Sequence, residues 1–414
     1  MLRRVPLTTV LITSGVLAAR VFRVPVLTDP LGSPLPPQLH LGFPALNLVF
    51  APLFDLWDAV SMLSMRRLTG LVAGVLLFYL AWRVAAALSR RRRDPDAGPP
   101  IGVIREIGIA LVSLVTFAAF VAGGLLWHRP MVSLQGAMSD MMVVDFHSHT
   151  NASHDVRGTL MNGYDAAANR RWHGRAGFDA VFITDHNTVQ GIPHTEAAPR
   201  IPVLCPGIEV SAYRAHIVLL GNRDSVNRSA YSDSLGGVLQ LLRESERKFG
   251  AITIASLPEY DRNHWANLPG FVDAGVDGFE IVNASPKANE FSQAHRDSVI
   301  ALARSHNLLL VGVTDNHGWG ATSMSWNLVR VPGWRAHLPT ACGTLLARLK
   351  AGGTDAVQVI ERHHLAADSR WPLILTPVAV IWETWRSLSF LQLMSWLIWV
   401  WLIGLLTERH RQAG

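Results

Sequence analysis

Asp145-Phe146-His147-Ser148-His149-Thr150 is the stretch whose reading decides the fold. It closes an apolar, β-branched run at 143–146 and so reads as the end of a strand. Side chains alternate along a strand, which puts Asp145, His147 and His149 on one face. The pattern recurs downstream. Thr184-Asp185-His186 closes a run at 180–183, and Gly207-Ile208-Glu209 falls within one at 203–210. His216 opens a run at 216–220, and Asp315-Asn316-His317 follows one at 308–313. A lone histidine is more often hydrogen-bonded or on the surface than a ligand. That reading does not account for the whole set, because 11 of the 17 histidines lie between His147 and His317 and the singled-out ones sit at strand ends.

Two further runs, 251–255 and 278–282, bring the strands to seven. Helical spacing of apolar residues marks 160–172, 234–249 and 289–305. Strands with intervening helices predict a parallel, barrel-like α/β domain whose function collects at the C-terminal strand ends. Imidazole suits Zn²⁺, while harder ions such as Mn²⁺ accept more oxygen. A mixed His, Asp and Glu set of this size therefore predicts a multinuclear metal site, used to generate hydroxide near neutral pH and to clamp phosphoryl oxygens.

In order and composition the four motifs resemble those of the PHP (polymerase and histidinol phosphatase) family; the match covers about 140–332. The resemblance implies a distorted (β/α)7 TIM-like barrel over 140–335 that hydrolyses phosphoesters with two or three divalent ions, Mn²⁺ or Zn²⁺. It also implies that His147, His149, Glu209 and Asp315 hold one ion and that Glu209 bridges to a second with His216. A third would lie between His186, His317 and either His154 or Asp155. Asp315, Glu209 and His186 are the implied catalytic residues. One departure stands out. The family carries His-Pro after its fifth strand, whereas this chain has Ala255-Ser256-Leu257-Pro258. Leucine coordinates nothing, so a site with fewer ions is expected unless Glu259 or His264 swings in. Two rival readings follow: a non-catalytic metal-binding sensor or scaffold, and a metallohydrolase acting on a non-phosphate ester or amide.

Arg157, Arg262 and Lys287 follow strand ends and are candidates for holding a substrate phosphate, since arginine offers a bidentate fork. Asn283 ends the run at 278–282, where a strand-end turn explains it equally well. Cys205 and Cys342 are the only cysteines. An exported domain permits their disulfide, but Cys205 opens a core strand, where a buried free thiol is the expected state. The chain has no Walker-type glycine loop and no internal repeat.

Outward from this domain the composition changes. The chain is 49% hydrophobic and only 16% charged, and the apolar excess lies at its two ends. Residues 1–130 predict a membrane region with spans at about 5–22, 68–88 and 107–127. The stretch 43–65 is expected to be interfacial or re-entrant, because Asp55 and Asp58 would each cost about 2.5 to 3.5 kcal/mol at mid-membrane. Residues 336–370 are expected to close the domain and link it onward, and 371–414 to form an interfacial segment followed by a span at 388–406. Arg90 to Arg93 form the densest positive run. The positive-inside rule keeps that run cytoplasmic and sends the following domain outside. The net charge of +6 is then mainly an orientation signal. There is no nucleic-acid-binding signature, and the expected partners are the lipid bilayer and a phosphorylated small-molecule or envelope-linked substrate.

Overall fold

All seven apolar runs form strands, and the described residues add five more. A computed structural model describes residues 6–93, 103–127, 129–192, 200–318 and 322–413. The strands are β1 (Leu27–Thr28), β2 (His40–Gly42), β3 (Ser133–Gln135), β4 (Met141–Ser148), β5 (Ala180–Ile183) and β6 (Val203–Ala212). They continue with β7 (Ala215–Leu220), β8 (Ile252–Ala255), β9 (Gly278–Asn283), β10 (Leu309–Val313), β11 (Ser325–Arg330) and β12 (Val357–Arg362). Ten form one curled sheet in the order β1-β12-β11-β4-β5-β6-β7-β8-β9-β10, while β2 and β3 pair separately.

The sheet is mixed, which corrects the expectation of an all-parallel domain. β4, β5 and β6 run parallel, as do β8, β9 and β10, but β7 is antiparallel to both its neighbours. The cause is the link between β6 and β7. It has only two residues, Tyr213 and Arg214, with φ of 40° and 62°. Two consecutive left-handed residues make a tight hairpin turn, and a parallel crossover needs about a dozen residues. β11, β12 and β1 extend the sheet beyond β4 in antiparallel fashion. The compact unit therefore comprises Pro25–Pro44 and Pro130–His363, wider than 140–335. It takes two strands, β1 and β2, from the expected membrane region and one, β12, from the expected linker.

The far edge curls back onto β4. Asp315 N donates to His147 O at 2.9 Å and His149 N to Asn316 O at 3.0 Å. The buried Asn327 side chain fastens the same seam: its Oδ1 accepts from Gly312 N at 2.9 Å, and its Nδ2 donates to Val144 O at 2.9 Å. Outside the sheet, the expected helix at 160–172 begins later, as Ala166–Ala176, because Asp165 caps it by accepting from Ala168 N. That leaves 150–163 as a turn-rich segment. The other two helices are Leu235–Phe249 and Gln293–Ser305, capped by Ser234 and Ser292.

Cys205 and Cys342 form a disulfide with Cα atoms 5.5 Å apart, which corrects the expected free thiol. Helix Ala341–Gly352 supplies the partner that the sequence position of Cys205 could not reveal.

The second unit comprises Met1–Val24, Ala45–Arg129 and His364–Gly414. Among the described residues, three helical stretches are long and apolar enough to cross a membrane: Met65–Ser89, Ile104–Gly124 and Phe390–Arg409. The expected span at 5–22 corresponds to helix Leu7–Val21, whose 15 residues reach only about 22 Å against a hydrocarbon core of about 30 Å. The stretch 43–65 breaks into helices Ala45–Val49 and Ala51–Ser61. Its two carboxylates are buried and partnered. Asp55 accepts from Gln392 at 2.6 Å and from Trp396 at 2.9 Å, and Asp58 pairs with Arg129. The segment expected at the interface carries helix Thr376–Ser387. Arg3 and Arg4 lie outside the described residues, as do the side chains of Arg90, Arg91 and Arg93.

The disulfide spans a sequence separation of 137 residues, and closing so long a loop in the unfolded chain is worth about 2 to 5 kcal/mol. Dithiothreitol treatment of the purified full chain, or Cys342→Ser, is expected to lower the melting temperature of the sheet unit by roughly 5–15 °C. Unchanged melting under reduction would show that the bridge contributes nothing.

Candidate metal centre

The centre begins with the alternation along β4. Asp145 and His147 share a face, and His149 follows just past the strand end. Asp145 does not join the cluster of donors. It is fully buried and accepts from His173 Nε2 at 2.9 Å, from Thr314 N at 3.1 Å and from the Thr314 hydroxyl, tying the root of β4 to the loop after β10. Asp315 itself has a φ of 46°, in a left-handed region that Asp tolerates better than most residues. Its backbone N–H meets His147 O, and its side chain reaches the β4 histidines.

Three donor atoms converge there, from His147, His149 and Asp315, and Glu209 approaches the two nitrogens. His147 Nε2 and His149 Nε2 are 3.0 Å apart. Glu209 Oε2 is 3.2 Å from the first and 3.4 Å from the second. Asp315 Oδ1 is 3.6 Å and 3.1 Å from the same two nitrogens. A tetrahedral ion with bonds of about 2.0–2.1 Å separates its ligand atoms by about 3.3 Å. The observed spacings bracket that value.

The hairpin supplies a second group. Opposite residues in the β6/β7 ladder include Glu209 with Val218 and Ser211 with His216, so Glu209 and His216 are diagonal neighbours on one face. Glu209 Oε1 lies 2.9 Å from His216 Nδ1, and Glu209 Oε2 lies 3.0 Å from His186 Nδ1. His186 is held beside Glu209 by a parallel bridge between the segment that follows β5 and the body of β6. A third group gathers on the turn segment after β4. Asp155 Oδ2 is 2.7 Å from His317 Nε2 and 3.2 Å from His186 Nε2, and His149 completes the set. His186 thus offers one nitrogen to each of two groups, whereas the sequence resemblance places it in one.

Of the two alternatives at 154 and 155, the structure brings in Asp155. His154 is exposed, with its ring 5.0 Å from that of His186, and belongs to none of the three donor groups. His264 is buried elsewhere, its Nε2 hydrogen-bonded to Tyr213 O at 2.8 Å. Asp185 holds the loop after β4 in place by accepting from Thr150 N and Oγ1 at 2.6 and 2.7 Å. Gly191 is obligatory beside it, because a Cβ there would lie 2.0 Å from Asp185 Oδ2.

The electrostatics fit cations. Burial depresses the proton affinity of His149 to about 3, helped by the imidazoles of His317 and His186. Burial acts in the same direction on His186, but Glu209 and Asp155 overcome it and raise that imidazole to about 10. His147, His216 and His317 are likewise raised by their carboxylates against burial. Glu209 and Asp315 are held low by the surrounding imidazoles despite burial. Protons are therefore standing where cations would stand. The hydrogen bonding is also incomplete. His149 Nδ1, His186 Nδ1 and Glu209 Oε2 are buried without hydrogen-bond partners, although three imidazole nitrogens surround that Glu209 oxygen. His317 Nδ1 donates to Asp315 O at 2.8 Å, so its Nε2, facing a carboxylate oxygen, needs either a proton or an ion. This donor set suits divalent metals.

Sequence reasoning missed Glu280. It is fully buried on β9, and its Oε1 accepts from His147 Nδ1 at 2.7 Å. Its Oε2 accepts from Leu257 N and Asn283 Nδ2, each at 2.9 Å. A carboxylate behind a ligating imidazole fixes its tautomer and raises its basicity. A lone acidic residue in an otherwise apolar strand was the available signal. Asn283 belongs to the same network and reaches Asp315 Oδ2 at 3.4 Å. The three expected phosphate-binding residues are all exposed. Arg157 donates only a long bond to Asn151 O, Arg262 pairs with Glu290 at 2.8 Å, and Lys287 follows β9.

No family model and no curated protein sequence matches the chain. Solved structures do. One is a candidate metal-dependent phosphoesterase from Bifidobacterium adolescentis, 14% identical over 42% of this chain and 87% of that one, with a TM-score of 0.31. Another is a two-domain protein from Bacteroides vulgatus containing a PHP-like metal-dependent phosphoesterase assignment, 18% identical over 49% and 63%, with a TM-score of 0.30. A third is an amidohydrolase from Chromobacterium violaceum with bound sulfate and no metal, 17% identical over 42% and 87%, with a TM-score of 0.28. At scores this low the likeness decides nothing, and the reading of the site stands on its own side chains.

Metal ligands must be deprotonated, so binding displaces protons from the raised imidazoles. Calorimetric titration of the apo chain with Mn²⁺ at pH 7, in buffers of different ionisation enthalpy, is expected to show net proton release. Glu280→Gln is expected to weaken binding by about 10- to 100-fold. Binding without proton release would contradict the protonation pattern, and unchanged affinity in the variant would remove Glu280 from the centre.

Proposed function

We propose that the chain is a membrane-held, metal-dependent hydrolase of phosphate mono- or diesters. The observation that carries this reading is Glu209 Oε2, buried, without a hydrogen bond, and 3.0–3.4 Å from nitrogens of His186, His147 and His149. So much donor capacity converging on one point is costly unless a cation uses it. Divalent ions held there supply Lewis-acid activation of water and a clamp on phosphoryl oxygens.

The side chains divide the remaining work. His147, His149, Glu209 and Asp315 would hold one ion, Glu209 with His216 and His186 a second, and Asp155, His186 and His317 a third. Of the two carboxylates of the first ion, Asp315 is the more accessible, its side chain 11% exposed against 2% for Glu209, and it would take a proton from an attacking water. Arg157, Arg262 and Lys287 are the candidates for the substrate's remaining charge, with Arg262 first leaving Glu290. The substrate class follows from the ligand chemistry and the resemblance of the motifs. The membrane unit favours a lipid- or envelope-linked phosphate on grounds of location.

The purified chain is expected to contain Mn²⁺ or Zn²⁺ and to hydrolyse nitrophenyl phosphate or bis-nitrophenyl phosphate, with Asp315→Ala and His149→Ala losing about 10²-fold or more of kcat/KM. A metal-free protein with all ligands intact would sink the proposal. Stoichiometric metal with no turnover on a panel of phosphate and carboxylic esters would favour the scaffold reading.

We also place the sheet unit on the extracytoplasmic side. The disulfide supports this, since such bonds persist in oxidising compartments, and so does the Arg90 to Arg93 run. An export-dependent reporter fused after Pro130 is expected to be active; a signal from a cytoplasm-dependent reporter alone would reverse the placement.

A further inference from the structure

Leu257 occupies the position where the resemblance implies an imidazole ligand, and its side chain is 2% exposed in the core. The ion between Glu209 and His216 thus lacks a donor from that position. Pro258 follows, and the short helix Glu259–Asn263 begins at once. Its first residue aims back at the gap. Glu259 Oε2 lies 3.8 Å from His216 Nδ1, the nitrogen that is itself 2.9 Å from Glu209 Oε1. That Glu259 oxygen is shielded from solvent and has no hydrogen-bond partner. The donors of His186, Glu209 and His216 lie within 4.8 Å of one another, and Glu259 approaches them from the His216 side.

We propose that Glu259 is a metal ligand that replaces the missing imidazole, completing the second ion's coordination with Glu209, His216 and His186. This inference rests on the metal-centre reading above. Two residues of displacement along the chain move the donor from a loop position to the first turn of a helix. The exchange also changes the chemistry of the position. With two carboxylates among its donors it is harder than the same site would be with an imidazole from position 257, and it would prefer Mn²⁺ over Zn²⁺ relative to that arrangement.

The test uses the full chain in detergent, stripped of metal and titrated with Mn²⁺, with free ion followed by electron paramagnetic resonance and bound ion by elemental analysis. Glu259→Gln is expected to lose one bound ion per chain, or to weaken the last site by about tenfold or more, while retaining the others. Leu257→His in the Glu259→Gln background is expected to recover that ion and to shift its preference toward Zn²⁺. His149→Ala serves as the control that disturbs a different position. Equal stoichiometry and affinity in wild type and Glu259→Gln would overturn the assignment of Glu259 and leave the hydrolase proposal standing. A wild type that binds no ion would overturn both. A circular dichroism melt of each variant separates loss of a ligand from loss of the fold.

Discussion

Two backbone hydrogen bonds, from Asp315 N to His147 O and from His149 N to Asn316 O, hold the end of the last strand of the curl against the end of the first. The metal centre depends on them. Its ligands come from chain positions up to 170 apart, and no local segment brings even four together. With the seam closed, the His-x-His of β4 faces Asp315 on one side. The β6/β7 hairpin delivers Glu209 and His216 on the other. Asn327, bonded to both edges of the seam, and Asp145, bonded to Thr314 and His173, keep it closed from beneath. None of these supporting residues contributes a ligand.

Charge governs the interior as strictly as geometry does. Burying several carboxylates and imidazoles together is tolerable only if each charge finds its opposite. In the absence of ions, the raised imidazoles and lowered carboxylates neutralise one another. The sign of each contribution follows from its shift. His186, raised to about 10 by Glu209 and Asp155 against burial, stabilises the fold fully below its ordinary value near 6.5 and loses that contribution as pH rises through 10. Glu209 and Asp315, held low, contribute above the ordinary carboxylate range and lose their contribution under acid. Neutral pH therefore lies inside the window where both sets act. Divalent ions can replace the protons there without requiring new charge in the protein.

The sequence is most readable where side-chain type and strand period coincide. All seven runs became strands because short β-branched segments buried on both faces have few alternatives, and the ligands at their ends were visible because imidazoles and carboxylates are out of place beside such runs. Legibility ended where tertiary pairing decided the outcome. The antiparallel turn at Tyr213 and Arg214 carries no glycine or asparagine to announce it. β12 was hidden in a presumed linker, because a six-residue run ending in two charges is sheet only if an edge is waiting for it. Cys205 found Cys342 on a helix far along the chain. Between His154 and Asp155 spacing favours His154 and residue type favours Asp155; the structure groups Asp155 with the donors, and spacing misleads because the turn segment that presents them follows no regular period.

The stretch at 255–258 shows how a departure from a motif can leave a fold intact. Leu257 gives up ligation, yet its backbone N–H and the Ser256 hydroxyl both point at Glu280, which in turn holds His147. The loop has therefore not left the centre; it acts one shell further out. That role uses main-chain atoms and tolerates an apolar side chain. It also constrains any repair. A histidine at 257 must reach the ions without withdrawing its own N–H from Glu280, or the first ion's ligand loses orientation while the second gains a donor. Glu259 avoids that conflict, because a side chain on the following helix can move without disturbing the buttress beneath His147.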